Sequence, residues 1–478
     1  METHEQRSLL EAVHIGRPPN LPRKKRTPPE VDVADIQGNV LHGYTYPVAA
    51  YIFLRIEDPE RGRALLASML DRITTGEPWE DGPPPTAIQL AFTYPGLVRL
   101  GVPDEILQTF PEEFRQGMAG RAELLGDRGP SAPEHWEPGL GTGEAHVLVT
   151  VWAIDDENLD AVREELRTVG AQAGATTVIN ETRAEALPGG RDHFGFFDGI
   201  SQPAVDGTGV TGRPGDGQPD GRGGWREVAT GEFLLGYVDE DGALPDAPAA
   251  PFDRNGSFLV YRKLQMHVPA FRRMLADAGS RYAGGPEMLA AKIVGRWRDG
   301  TPLAVSPDAP DPDVVGDPGR INDFSYADDP RGLKCPLGSH VRRTNPRDTD
   351  GFFEGRLTNR HRIIRRGRAY GPPLAEDAMD DDGVDRGLVF VCFNADIWRQ
   401  FETIQTFWID EGDVFGLGPD KDVLIGCHGV DGGGKMTIPG DPPFFLSPQP
   451  RLVTNRGGEY LFQPGIAALR WIAGGAGG

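Results

Sequence analysis

The sequence predicts an α+β protein built from two ferredoxin-like (split βαβ) domains with antiparallel sheets. Strand and helix patterns alternate as β-α-β-β-α-β between residues 48 and 187, and a looser version of that order returns between residues 256 and 464. With 478 residues and 38% hydrophobic content, the chain is long enough to bury two cores. The expected division is a mobile arm over 1–30, a first domain over 31–205 and a second, with long loops, over 206–478.

The arm is rich in proline and charge, a composition that cannot offset its own ordering entropy. Its basic cluster, Arg23 to Arg26, reads as a solvated tail. "VAAYIFLRI" (48–56) is a strand, and "PERGRALLASMLDRI" (59–73) a helix with Pro59 at its start. "AIQLAFTY" (87–94) and "AHVLVTVWAI" (145–154) are the next strands. "ENLDAVREELRTVG" (157–170) sets Leu159, Val162, Leu166 and Val169 on one helical face, with Gly170 as the stop. "TTVINETRAEAL" (176–187) closes the first set.

Gly- and Asp-rich loops follow at 204–230 and 301–334, and loops of that length are usually functional or disordered. The second set has strands over 256–264, 360–367, 386–394 and 450–464, and helices over 268–279 and 286–297. "ADIWRQFETIQTFWI" (395–409) is a helix with Ile397, Phe401, Ile404 and Trp408 on one face.

The charge balance excludes some partners. Seventy-one acidic residues against 49 basic ones leave a net charge of -22, which argues against nucleic acid and anionic membrane. No apolar run is long enough to cross a bilayer, and the first 30 residues lack the apolar core of a signal peptide. Three cysteines imply no disulfide framework, so a reducing, cytoplasmic setting is expected. Monomer and homo-oligomer both stay open.

Four segments carry candidate chemistry. In "HFGFFDGIS" (193–201), Asp198 stands among three phenylalanines and between Gly195 and Gly199. A carboxylate in apolar company is costly unless it has a task, although an Asx-turn also explains it. In "CPLGSHVRRTNPR" (335–347), a loop ending in Asn345-Pro346 presents His340, followed by Arg342, Arg343 and Arg347, which suit two-pronged binding of carboxylates. In "IIRRGRAYG" (363–371), strand alternation turns one of Arg365 and Arg366 inward, where it needs an anion or a structural ion pair. In "FNADIWRQFE" (393–402), Asp396 suits a helix cap, or a carboxylate accepting the second N–H of His340.

These segments, in this order, resemble the dye-decolorizing peroxidases, a family of b-type haem enzymes. "DIQGNVLHGY" (35–44) is similar to the family's N-terminal signature, "FGFFDGISQP" (194–203) to its GxxDG motif and "GSHVRRTNPR" (338–347) to the segment of the proximal histidine. "GEFLLGY" (231–237), "NGSFLVYRKL" (255–264), "VGRWRDGTPL" (294–303) and "GLVFVCFNADIWRQFETIQ" (387–405) are similar to further family blocks, and the long insertions look most like the larger, cytoplasmic branch.

The resemblance implies one haem b per chain, held mainly by the C-terminal domain, and oxidation of dyes, phenols and other bulky aromatic donors by hydrogen peroxide. It implies His340 as the iron ligand and Asp198 with Arg365 on the peroxide side. Asp396 would then partner His340, with Arg342 and Phe390 lining the cofactor. The resemblance also implies an acidic pH optimum. Trp398, Trp408, Tyr370 and Trp471 are candidate relays for electrons from bulky donors. The competing reading is a haem-binding or iron-handling protein with incidental peroxidase activity.

Overall fold

The computed structural model describes residues 30–80, 82–210, 212–220, 222–349, 357–429 and 433–475. The expected mobile arm, apart from Glu30, lies outside them. The strands in chain order are β1 (Val48–Ile56), β2 (Thr86–Phe92), β3 (Val147–Ala153), β4 (Thr176–Glu185), β5 (Gln218–Pro219), β6 (Trp225–Arg226) and β7 (Ser257–Met266). They continue with β8 (Ile364–Arg365), β9 (Arg368–Tyr370), β10 (Gly387–Asn394), β11 (Gly434–Ile438), β12 (Phe444–Gln449) and β13 (Val453–Gln463).

Both halves of the chain have ferredoxin-like strand order. The first four strands lie as β4-β1-β3-β2, and the second set as β13-β7-β10-β8, with β9 also on β10. Numbered within its own half, each reads 4-1-3-2, and every pairing is antiparallel. One pair, Phe462 opposite Phe92, joins the two into a nine-stranded sheet, and β9 packs beside β4 at the other end. The sheet therefore curls round an interior of Tyr51, Phe53, Leu148, Leu259, Tyr261, Val389, Phe393 and Leu461. Period-2 alternation sends the neighbours of these residues outward, under the helices.

The helices form where caps and apolar spacing coincide. Asp58 accepts from the Arg61 amide at 2.9 Å and Pro59 opens helix Pro59–Met69. Asp155 caps helix Asp156–Gln172 through the Asn158 amide at 2.8 Å, and Leu159, Val162 and Leu166 are buried as the spacing requires. Two expectations fail here. Val169 is 46% exposed, and the helix runs past Gly170 to Gln172. Gly170 serves packing: a Cβ there would stand 2.3 Å from Thr176 Oγ1 on β4. The strand expected over 360–367 shrinks to Ile364–Arg365, preceded by a 3-10 turn. Helix 395–409 forms with wide π turns, such as Glu402 N–H to Ile397 O at 2.9 Å.

The barrel interior holds one acid with a stability consequence. Glu459 on β13 lies opposite Tyr261 and accepts the Gly141 amide at 2.6 Å. Burial pushes its carboxyl up to about 8. An unfolded glutamate titrates near 4.3, so between that pH and 8 the folded state holds a proton the unfolded state has lost. Stability therefore falls as pH rises through that window. Glu459→Gln is expected to flatten the slope and to raise the melting temperature at pH 8 more than at pH 5, read by calorimetry at both.

Candidate active site

His340 opens the short helix His340–Thr344, set at the surface of the apolar cluster that Val341 joins. Ser339 anchors the turn before it by donating to Lys292 O at 2.5 Å, at the end of helix Gly285–Val294. The imidazole is oriented by one bond: Nδ1 lies 2.9 Å from Asp422 Oδ2. Asp422 is 1% exposed, and its Oδ1 accepts the amides of Leu424 at 2.9 Å and Ile425 at 3.0 Å. Burial pushes this carboxyl up, but His340, Arg343 and the amides outweigh it, so its net shift is downward and it stays ionised. The imidazole keeps 27% side-chain exposure, and among the described residues its Nε2 makes no hydrogen bond.

Asp198 sits on a tightly held loop. Asp192 Oδ1 accepts the Phe196 amide at 2.9 Å, the Phe197 amide donates to Arg298 O at 3.0 Å, and the Asp198 amide to Gly190 O at 3.0 Å. Arg191 also donates to Gly195 O at 2.7 Å. Asp198 Oδ1 accepts the Gly199 amide at 2.6 Å, leaving Oδ2 without a partner among the described residues. Gly199 has φ of 77°, which favours glycine. Phe194 and Phe196 turn away into the cluster and pack on Phe271, while Phe197 is 41% exposed. The carboxylate itself is exposed, so the phenylalanines hold the loop without enclosing the acid.

The two consecutive arginines part at the sheet. Arg365 pairs with Cys392 and so shares its outer face, donating from Nη2 to Ser201 O at 3.0 Å. Its amide donates to Gln202 Oε1 at 2.9 Å. Arg365 is thus tied to the segment that follows Asp198. Arg366 turns the other way and donates to Asn39 O at 2.9 Å and Val40 O at 3.1 Å. It pins the segment expected as an N-terminal signature.

Other expected site residues stand elsewhere. Asp396 caps the turn that follows it, its Oδ1 accepting the Arg399 amide at 2.8 Å, and Asp422 takes the place expected for it beside His340. Arg342 is 1% exposed, donates to Asp329 Oδ2 at 3.1 Å and Cys335 O at 2.6 Å, and stacks on Tyr326, so it does not reach an external carboxylate. Arg343 donates to the carbonyls of Trp408 and Glu411, and Arg347 to Phe324 O at 2.7 Å. These arginines are structural. Phe390 lies opposite Arg262 on the outer face that also carries Cys392 and Arg365, half-buried and 6.2 Å from the Phe401 ring.

The residues that sequence reading misses are Asp422 and Asp192. Asp192 offers a faint signal, an Asx acceptor ahead of a glycine-rich turn. Burial, with Asp198 nearby, pushes its carboxyl up to about 6. The two key segments meet one apolar body: Phe194 and Phe196 from the Asp198 loop share a cluster with Val341, Val423 and Leu424 from the His340 side.

Comparison with known proteins decides the family. Residues 35–186 match the DyP dimeric alpha+beta barrel domain, and residues 243–414 match the Dyp-type peroxidase C-terminal domain. The chain belongs to the DyP-type peroxidase family. A dye-decolorizing peroxidase of Mycena epipterygia is 35% identical over 486 residues, covering 93% of this chain and 87% of the relative. The multifunctional dye peroxidase DyP2 of an Amycolatopsis species is 33% identical, covering 80% of this chain and 81% of its own. An ancestral D-type dye decolorizing peroxidase of known structure aligns with a TM-score of 0.81 at 30% identity, covering 93% of this chain and 99% of that one.

This DyP-type peroxidase is a haem enzyme that uses hydrogen peroxide to oxidise dyes and phenolic donors, and its cofactor is haem b. The residues fit that group. A single imidazole with an unengaged Nε2, whose other nitrogen is fixed by a buried carboxylate, is a kind of donor that haem iron takes. Among the described residues no helix is long and apolar enough to cross a membrane.

Proposed function

We propose that His340 ligates the haem iron through Nε2 and that Asp198 and Arg365 serve the peroxide side. The observation that carries this reading is the His340–Asp422 bond, which sets the tautomer and aims the free nitrogen. Haem, when bound, supplies the iron at which the O–O bond of peroxide is cleaved. Asp198 moves the proton: it must leave one peroxide oxygen and arrive on the other, and Oδ2 is the unengaged atom of a carboxylate on a fixed loop. The Arg365 guanidinium, beside the Ser201 carbonyl, offers positive charge to the departing oxygen. Phe390 lines the sheet side of the cofactor.

Among the four relay candidates, Trp398 best suits a bulky donor: it is 40% exposed, whereas Tyr370 and Trp408 are buried. The three cysteines are free thiols, which supports a cytoplasmic, reducing setting.

Arg365→Leu tests the assignment against its neighbour. It is expected to lower kcat/KM for peroxide about 100-fold with the Soret band retained. Arg366→Leu should instead lower stability, because it unties Asn39 and Val40. Stopped-flow peroxide consumption and thermal melts read the two apart, and a larger peroxide defect in Arg366→Leu would reverse the roles.

A further inference from the structure

A second feature lies on the loop that carries Asp422. A cavity of about 410 Å³ is lined by Arg128, Lys421, Lys435, Arg451, Cys427 and His428, with glycines and Pro419 completing its wall. Four cations converge there in a chain of net charge -22. Among the described residues their carboxylate partners are few. Lys435 stands 3.5 Å from Asp420 Oδ1, and Arg128 stands 3.4 Å from the exposed Glu123. Arg451 donates to Ser131 Oγ at 3.3 Å and His428 O at 2.7 Å, neither of them anionic. Among the described residues Lys421 has no ion pair. Asp410 accepts the Cys427 amide and Gln405 Nε2 at 3.1 Å, and it lies within electrostatic reach of Lys421 without forming an ion pair with it.

A further observation points to a ligand. His428 lines the cavity at 5% exposure, and its Nε2 has no hydrogen-bond partner among the described residues. The Nε of Arg451 is buried and unpartnered as well. Buried polar groups are nearly always satisfied, so two on one cavity mark a place where something polar belongs. Four like charges held together with fewer anions repel, and a further anion relieves them.

We propose that this cavity binds the anionic group of an organic donor, a sulfonate or carboxylate on an aromatic ring. The volume suits one small aromatic. The site neighbours Asp422, so its occupant would dock on the His340 side of the cofactor. This proposal rests on the peroxidase reading for its purpose, but not for its test.

The test is calorimetric titration of the holoenzyme with anthraquinone-2-sulfonate. Saturable binding that weakens with added salt is expected. Lys435→Gln should weaken it about fivefold, and Lys435→Gln/Arg451→Gln further still. Peroxidase turnover of the neutral 2,6-dimethoxyphenol should be unchanged in Lys435→Gln, while KM for an anionic dye rises with kcat unaltered. Thermal melts confirm that each variant is folded. Failure to bind the sulfonate, equal binding by the folded double variant, or inorganic phosphate binding that the sulfonate cannot displace would overturn the proposal. Loss of 2,6-dimethoxyphenol turnover in the unaltered protein would count against the peroxidase reading and leave the titration standing.

Discussion

Asp198→Asn is expected to lower the second-order rate of peroxide consumption about 1000-fold while the haem absorption stays in place. The substitution is clean because of the local geometry. Oδ1 of Asp198 accepts the Gly199 amide, and asparagine keeps that oxygen, so the turn at φ of 77° survives. Only Oδ2 changes, from a proton acceptor to an amide nitrogen that donates and does not accept. The loop is held by bonds that do not involve the carboxylate: Asp192 to Phe196, Phe197 to Arg298 and Arg191 to Gly195. A near-normal peroxide rate in Asp198→Asn would show that the proton moves elsewhere. Asp192 is then the nearest alternative, and Asp192→Asn would carry the larger defect.

The fold was legible in the sequence to the extent that its signals were local. Caps at Asp58 and Asp155 and the spacing of Leu159, Val162 and Leu166 are written within a few residues of each other. The β-α-β-β-α-β order needs nothing beyond strand and helix alternation. The closure of the two sheets into one rests on a single pair, Phe92 with Phe462, separated by most of the chain, and no local pattern announces it. Gly170 misled because a helical glycine near an expected end reads as a stop, whereas here it makes room for Thr176.

The candidate site divides in the same way. His340 and Asp198 stand in glycine-bearing segments whose oddity is visible in isolation. Arg365 and Arg366 differ only in strand phase, which the pairing of Arg365 with Cys392 supplies. Asp396 has a helix-cap context within a recognisable block, and that local signal carries no information on which distant carboxylate meets His340. Asp422, 82 residues from His340, lies in a loop with several other acids, and nothing around it marks it out. Arg342 suits a carboxylate by its type, but burial under Tyr326 and against Asp329 turns both Nη groups to partners inside the fold.

His340→Ala is expected to abolish stable haem binding, seen as loss of the Soret band in the purified protein. In the proposed site the imidazole would supply the nitrogen that holds the iron, and alanine leaves none there. A second effect follows from its partner. Asp422 is 1% exposed, and removing His340 leaves that carboxylate with the Leu424 and Ile425 amides and the Arg343 charge but without its side-chain hydrogen bond. A buried charge that loses its partner costs several kcal/mol in a dry interior, less here because His340 is itself 27% exposed. Apo His340→Ala should therefore melt below the unaltered apoprotein, and His340→Ala/Asp422→Asn should recover part of the difference, since the amide keeps an oxygen for the two backbone donors and carries no charge. Asp422→Asn alone keeps the imidazole but weakens its orientation, so haem affinity should fall 10- to 100-fold with the Soret band displaced. Measured together, the three variants separate ligation from positioning: ligation by His340 requires that only the two variants lacking it lose the band. An intact Soret band in His340→Ala would assign the iron to another side chain and remove the basis for placing Asp422 behind it.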